Sequence, residues 1–456
     1  MSGGGMAARR RWLRAGIAVF AGSAALIGGF AVLGPVNGSG GTGGSNSTTS
    51  GDGTADSPAP ITGGSLAQSI AQTQRHLRAV PGDWPSWAAL GAAYVQQARL
   101  TADPTYYPKA EGALARSLAL HPQGNSLALT SQATLAAGRH DFTGALRLAD
   151  AALAIDPYSA TGYGIKGDAL VELGQYPQAG QAFSKMDDLR PGLDSFSRLS
   201  YLAELHGDLP TAQRDLQLAL QTAPSPADAG FALYYLGELA WNSGDLATAA
   251  HRYDQGMRSD PSYLPLLEGR AKVEAARGQQ AAALRDFQQL VDRLPQPQYV
   301  IEYGDYLTSL HRTADAQAQY ALVRTEEQLF RTQGVNVDLE LALFDADHGA
   351  TGRALTEATT EVHRRQSILV EDAYAWALHM TGHDNAALVY ADRALSLGMR
   401  NASMYYHRGV IEAALGRTQQ AIADLHTALA INPHFSFLAA PRATNLLQRL
   451  THSPMP

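Results

Sequence analysis

The chain has 456 residues, enough for two or three ordinary domains or for one long array of repeats. Hydrophobic residues make up 45% and charged residues 17%, which supports a packed core and excludes wholesale disorder. A net charge of −7 argues against a nucleic-acid footprint, and the absence of cysteine removes disulfides, thiolate nucleophiles, Cys-ligated zinc and a cysteine-borne lipid anchor.

Residues 1–14 read as a basic cytoplasmic segment, with Arg9, Arg10, Arg11 and Arg14 ahead of an apolar run at 15–34. A helix of that length spans about 30 Å, the hydrocarbon thickness of a bilayer. Arginines stay on the cytoplasmic side, so the run reads as a single-pass membrane anchor with the remainder extracytoplasmic. It also reads as a signal sequence, which would leave the chain secreted if cleaved; Gly29-Phe30-Ala31 is the best cleavage candidate. The arginine cluster is compatible with twin-arginine export as well as with plain positive-inside charge. Residues 35–64, rich in Gly, Ser and Thr, read as a flexible linker with a reach of about 30 Å. Ser65-Leu66-Ala67-Gln68 has the form of a capping box, and the folded region is expected over 65–452.

From there a fixed step organises the chain. Pro157 and Pro191, Pro261 and Pro295, Gly244 and Gly278, and Gly382 and Gly416 are each 34 residues apart. A period of that length marks stacked two-helix units, none of which buries its apolar face alone. In one clear unit Tyr163, Gly167 and Leu170 share a face of the first helix, and Gly174 ends it. Tyr176 covers the turn, Ala179, Phe183 and Met186 share a face of the second helix, and Pro191 closes it. Ser65 to Ala79 reads as a leading helix and Ala443 to Leu450 as a trailing one. The rhythm breaks between Tyr320 and Leu343, where an elongated helix, a loop at Gly334-Val335-Asn336 and the apolar run Leu339 to Phe344 suggest a hinge near 321–338.

Trp87, Leu90, Gly91, Tyr94, then Ala110, Leu114 and Pro122 follow W-x2-L-G-x2-Y, A-x3-F, P, with an insertion near Thr101 to Pro108. Later units carry Ala145/Ala149/Pro157, Ala179/Phe183/Pro191, Ala212/Leu216/Pro224, Ala249/Tyr253/Pro261, Ala283/Phe287/Pro295, Ala316/Tyr320, Ala354/Ala358, Ala387/Ala391 and Ala421/Leu425/Pro433. The pattern resembles the tetratricopeptide repeat family, of a membrane-anchored bacterial type. The resemblance implies an all-α fold: a right-handed solenoid of about ten helix-turn-helix repeats with a concave groove lined by first helices. Transferred through the phase of each unit, it implies a partner-binding groove at Tyr201, Phe231, Tyr234, Glu238, Trp241, Asn242, Lys272, Trp376, His379 and Tyr406. Lysine occurs only at Lys109, Lys166, Lys185 and Lys272, too sparsely for the family's clamp on a terminal carboxylate.

No phosphate-cradling loop, H-E-x-x-H or G-x-S-x-G is present, so the chain reads as a non-enzyme with no cofactor. His206, His311, His348 and His383 fall at ends of first helices, where the dipole favours a cation. Asp345-Ala346-Asp347-His348 and the His379/His383 pair leave a metal-handling role as the alternative, although Gly382 interrupts the second pair. Asp187-Asp188 and Glu326-Glu327 read as solvated faces. The leading expectation is a membrane-tethered extracytoplasmic scaffold or adaptor that takes a protein or peptide partner and no nucleic acid. An RNA-binding repeat array of similar period is opposed by the acidic balance.

Overall fold

The computed structural model describes residues 63–101 and 103–452. The basic segment, the apolar run at 15–34 and nearly all of the linker therefore lie outside the described residues. Among those described, no helix is long and apolar enough to cross a membrane. They form twenty-two helices and no strand.

A leading helix, α1 (Gly63–Ala79), is followed by ten hairpins. The first five are α2 (Trp84–Thr101) with α3 (Tyr106–Leu120), α4 (Ser126–Gly138) with α5 (Phe142–Ile155), α6 (Ala160–Glu172) with α7 (Tyr176–Leu189), α8 (Leu193–Leu205) with α9 (Leu209–Gln221), and α10 (Pro226–Asn242) with α11 (Leu246–Ser259). The next five are α12 (Pro265–Ala276) with α13 (Gln280–Arg293), α14 (Pro297–Ser309) with α15 (Thr313–Thr332), α16 (Asp338–Asp347) with α17 (Thr351–Arg364), α18 (Ile368–Met380) with α19 (Asp384–Ala394), and α20 (Ala402–Ala414) with α21 (Thr418–Ile431). The trailing helix α22 (Ala439–His452) closes the array. The first helix begins two residues ahead of Ser65, so that serine lies inside α1 rather than at its cap.

Each first helix packs on its own second helix, and most also pack on the first helix of the next hairpin. Only the inner side of a curved stack brings every other helix into contact, so the first helices form the inner wall. The turns have a common chemistry. Gly174, Gly207, Gly244, Gly278, Gly349, Gly382 and Gly416 take positive φ of 72–86° just past a first helix. His140 and His311 occupy the same place in their hairpins at φ 58° and 60°, a conformation uncommon outside glycine. Asp141, Asp208 and Asp245 then cap the second helices, each accepting from the amide three residues on.

Inside the hairpins a glycine on the first helix faces a large residue sixteen positions later. A Cβ on Gly167 would collide with Phe183, on Gly237 with Tyr253, and on Gly304 with Tyr320; Gly409 lies close against Leu425. In the first hairpin the partner of Gly91 is Leu114, displaced by the insertion. Phe183 is 1% exposed.

The array curls until one turn of the spiral meets the next. The partners across this seam keep a nearly constant offset. The hydroxyl of Tyr176 accepts from the Ile368 amide at 2.8 Å, 192 residues away, and Asn432 Nδ2 donates to the Trp241 carbonyl at 2.8 Å, 191 residues away. Arg365 reaches back to Glu172 while also pairing with Glu361. Gly174, Gly207 and Gly244 press on the carbonyls of Gln366, Gly398 and Ile431, approaches that a side chain would block. A turn therefore holds between five and six 34-residue units. At the expected hinge, α15 is the longest helix of the array and Gly334 has φ 73°. Val335 and Val337 are buried, and the Asn336 amide donates to the Arg139 carbonyl at 3.2 Å.

One expected solvated face is partly buried. Asp188 and Glu327 keep contact with water, but Glu326 is 2% exposed, on the stripe of Val323 and Phe330. Burial pushes its carboxyl up to about 9.

Two substitutions report on these contacts. Phe183→Ala should cost about 3–5 kcal/mol in chemical denaturation, because Gly167 leaves nothing to fill the void. Arg365→Met should cost a similar ~3–5 kcal/mol by stranding Glu172 and removing one of the two arginines paired with Glu361. Adding Glu172→Gln and Glu361→Gln should restore much of the melting temperature; no restoration would show that the arginine acts by packing alone.

Candidate functional site: a cavity inside the spiral

The inner wall encloses a cavity of about 230 Å³. Its sides come from the first helices α8, α10, α12, α14, α16 and α20, and it is closed by the loops around Arg400 and Phe435. The 34-residue register decides which side chains meet there. Tyr234 and Glu268 are one period apart, and the tyrosine hydroxyl donates to Glu268 at 2.8 Å. Glu238 and Lys272 are also one period apart, and Lys272 Nζ donates to both Glu238 oxygens at 2.9 Å. The same ammonium bonds Glu268 at 2.5 Å and lies 5.4 Å from the centre of the Trp241 ring. Tyr253 adds a hydroxyl to Glu238 at 2.6 Å.

Charge is unbalanced in this network. Glu302, one further period on, faces Glu268, so that two carboxyl groups are neighbours. Burial first, then the neighbouring charge of Glu268, raises Glu302 well above the ordinary glutamate range. Burial pushes Glu204 up to about 7, opposed by a 3.4 Å contact from Asn242 Nδ2. Burial and Glu268 likewise raise Glu238 to about 7. Burial works against the Lys272 charge, but Glu238, Glu268 and Glu302 outweigh it and hold the ammonium above the usual lysine value. Three carboxyl groups thus surround one lysine, and Glu204 is a fourth acid on the same cavity wall.

At the far end Asp305 holds His348. His348 Nε2 bonds Asp305 at 2.9 Å while Nδ1 bonds the Phe344 carbonyl at 2.7 Å. Both partners are acceptors, an arrangement that favours the imidazolium, which donates from both ring nitrogens. Burial lowers the pKa of His348, but Asp305 and the carbonyl more than compensate, and the net direction is upward.

Six of the ten groove residues expected from the sequence meet in this cavity: Tyr201, Tyr234, Glu238, Trp241, Asn242 and Lys272. The other four do not line it. Phe231 packs edge-on against Tyr235 at 4.6 Å, toward the outer layer. Trp376 and Tyr406 sit behind the wall. The tryptophan stacks on His407 at 4.3 Å and donates to Asp347 at 2.9 Å; Tyr406 lies 5.8 Å from Phe435. His379 is engaged by Asp384 at 2.6 Å. Tyr201, Tyr234, Trp241, Lys272, Trp376 and Tyr406 are buried, so the open concave surface expected for them is replaced by an interior. Glu268, Tyr299, Glu302 and Asp305 were not among the expected residues. The signal for Glu268 and Glu302 was the period itself, counted on from Tyr234.

The residues considered for metal are held apart. Asp345 is paired with Arg324 and Arg353, Asp347 with Trp376, and His348 with Asp305. Helix α18 ends at Met380 and Gly382 has φ 81°, so His379 and His383 do not share a helix face. Among the described residues no group of three or more His, Asp or Glu is placed to hold a metal ion.

Residues 402–435, the tenth hairpin and the turn after it, match the tetratricopeptide repeat family. The chain carries a tetratricopeptide repeat. That repeat supplies Ser403 and His407 to the cavity wall, and its closing turn supplies Asn432 and Phe435. No curated protein matches the chain in sequence. Similar solved structures include a tetratricopeptide repeat protein from Parabacteroides merdae, 18% identical over 57% of this chain and 99% of that one, at a TM-score of 0.33. A thermophilic tetratricopeptide repeat protein of Thermus thermophilus is 22% identical over 37% of this chain and 91% of its own, at 0.34. Yeast Tom70 is 13% identical over 85% of this chain and 94% of its own, at 0.36.

The His348 brace gives stability a sign with pH. A folded-state pKa above the free value of about 6.5 stabilises fully below that pH, and the contribution is lost as pH rises through the folded value. Melting temperature should fall as pH rises above about 6.5, and His348→Gln should flatten that part of the curve. An unchanged slope in the variant would place the titration elsewhere.

Proposed function

We propose that this chain is an extracytoplasmic scaffold or adaptor, tethered to the membrane through residues 15–34, that takes a protein or peptide partner along the inner face of its spiral. The reading is supported by a single observation above the others: the register of the repeats gathers Tyr201, Tyr234, Glu238, Trp241, Asn242 and Lys272 around one cavity. Aromatic side chains give large contact area at little entropic cost and are common interface anchors. The tether rests on the sequence alone: arginines ahead of an apolar run of bilayer length, then a linker that would hold the spiral off the surface.

A steric block tests it. Ser403 lies partly exposed on the cavity wall at the start of α20. Ser403→Trp should leave helicity and melting temperature unchanged while abolishing capture of the partner that the unsubstituted full chain retains after cross-linking in membranes. The full chain should also pellet with membranes and be digested by protease added from the extracytoplasmic side. Undiminished capture by the variant would remove the cavity from the interface.

A further inference from the structure

We propose that the cavity binds an organic cation, an ammonium or guanidinium group, held between Glu302 and Glu204 against a wall of tyrosine rings. The inference rests on the reading of the inner face as a binding surface, and it names the chemistry of what binds there.

Three features of the cavity converge. The first is space: about 230 Å³ is far more than one water needs, and six first helices set the sides, closed by the loops around Arg400 and Phe435. The second is an internal precedent. Lys272 is already an ammonium in this cavity, bonded by Glu238 and Glu268 and lying over the Trp241 ring at 5.4 Å. The site therefore shows how it treats a cation: carboxylates from neighbouring first helices, with an aromatic face beneath. The third is what Lys272 leaves over. Its three hydrogens are taken by Glu238 and Glu268. Glu302 has another carboxyl, Glu268, as its neighbour, and Glu204 has only a 3.4 Å amide contact. Tyr201, Tyr234, Tyr235 and Tyr299 line the same cavity and supply further ring faces. An added cation supplies the missing counter-charge and places its apolar stem against the rings. An anionic ligand at this end of the cavity would face Glu204 and Glu302, with Lys272 already taken by Glu238 and Glu268, and a neutral apolar one would leave the two glutamates unsatisfied.

Calorimetric titration of the full chain in mild detergent tests this with two probes. Agmatine represents a free amine and acetyl-Gly-Arg-Gly-amide a basic side chain on a partner; glutarate is the control. At least one cation should bind at or below about 1 mM, with glutarate silent. Agmatine alone would identify a free amine as the source, and tighter binding of the peptide would identify a side chain. Glu302→Gln and Glu204→Gln, each close in shape to the native residue, should weaken binding about tenfold or more while the melting temperature is kept. Silence of both cations, equal binding of glutarate, or unchanged affinity in both variants would overturn the proposal. Partner capture that is lost in Ser403→Trp yet persists in Glu302→Gln would leave the scaffold standing and the cation site rejected.

Discussion

Close approach between paired helices is the constraint on which the rest depends. Gly167 against Phe183, Gly237 against Tyr253 and Gly304 against Tyr320 set one spacing in three hairpins. A large residue fits only because the facing position has no side chain, so a methyl group there would push the helices apart. Repetition makes this local geometry global. A constant hairpin with a constant step generates a constant curvature, and the curvature brings residues about 191 apart into contact. The glycines that end the first helices serve twice: they turn the chain, and three of them let the next turn of the spiral sit on bare backbone.

Because the spiral closes on itself, the inner face is a wall and not an open trough. This is where reading by sequence and reading by structure part. The ten hairpins, the leading and trailing helices, the long α15 and the helical nature of residues 338–347 all follow from period and pattern, since each depends on residues near in sequence. The seam does not. Nothing in the composition of Gln366, Gly398 or Ile431 announces that Gly174, Gly207 and Gly244 will rest on their carbonyls, because the curvature is a sum of small rotations that no single unit displays. The same blindness explains Glu326. It looks like half of a solvated acidic pair, but its partner Glu327 takes the water-facing position and Glu326 follows Val323 and Phe330 inward.

The cavity was half legible for a related reason. Tyr234, Glu238, Trp241 and Lys272 belong to first helices and carry the phase of the inner face, so their positions were readable from the motif. Trp376 and Tyr406 have the same phase but sit where α16 and the turn around Phe435 cover them. Period predicts which face a residue takes; it does not predict what lies on top of that face.

Burying three carboxyl groups around one lysine, with Glu204 a fourth acid on the same wall, is expensive by itself. Taking an ion out of water costs several kcal/mol even after relaxation, and pairing repays this only when every lone pair finds a donor. The network approaches that condition at Glu238 and Glu268, whose oxygens are met by Lys272, Tyr253 and Tyr234. It falls short at Glu302, whose neighbour is another carboxyl, and at Glu204, where one long amide contact is all that the chain supplies. A repeat protein has a ready way to avoid this, because the position recurs every 34 residues and its residue changes from unit to unit: one period before Tyr234 it is Ser200. Tyr234, Glu268 and Glu302 occupy one recurring position, and two of the three are acids. Stability alone favours tyrosine or leucine at such a place. Retaining glutamate there directs this part of the interior toward positive charge, and Lys272 is the cation that the chain itself bonds to it.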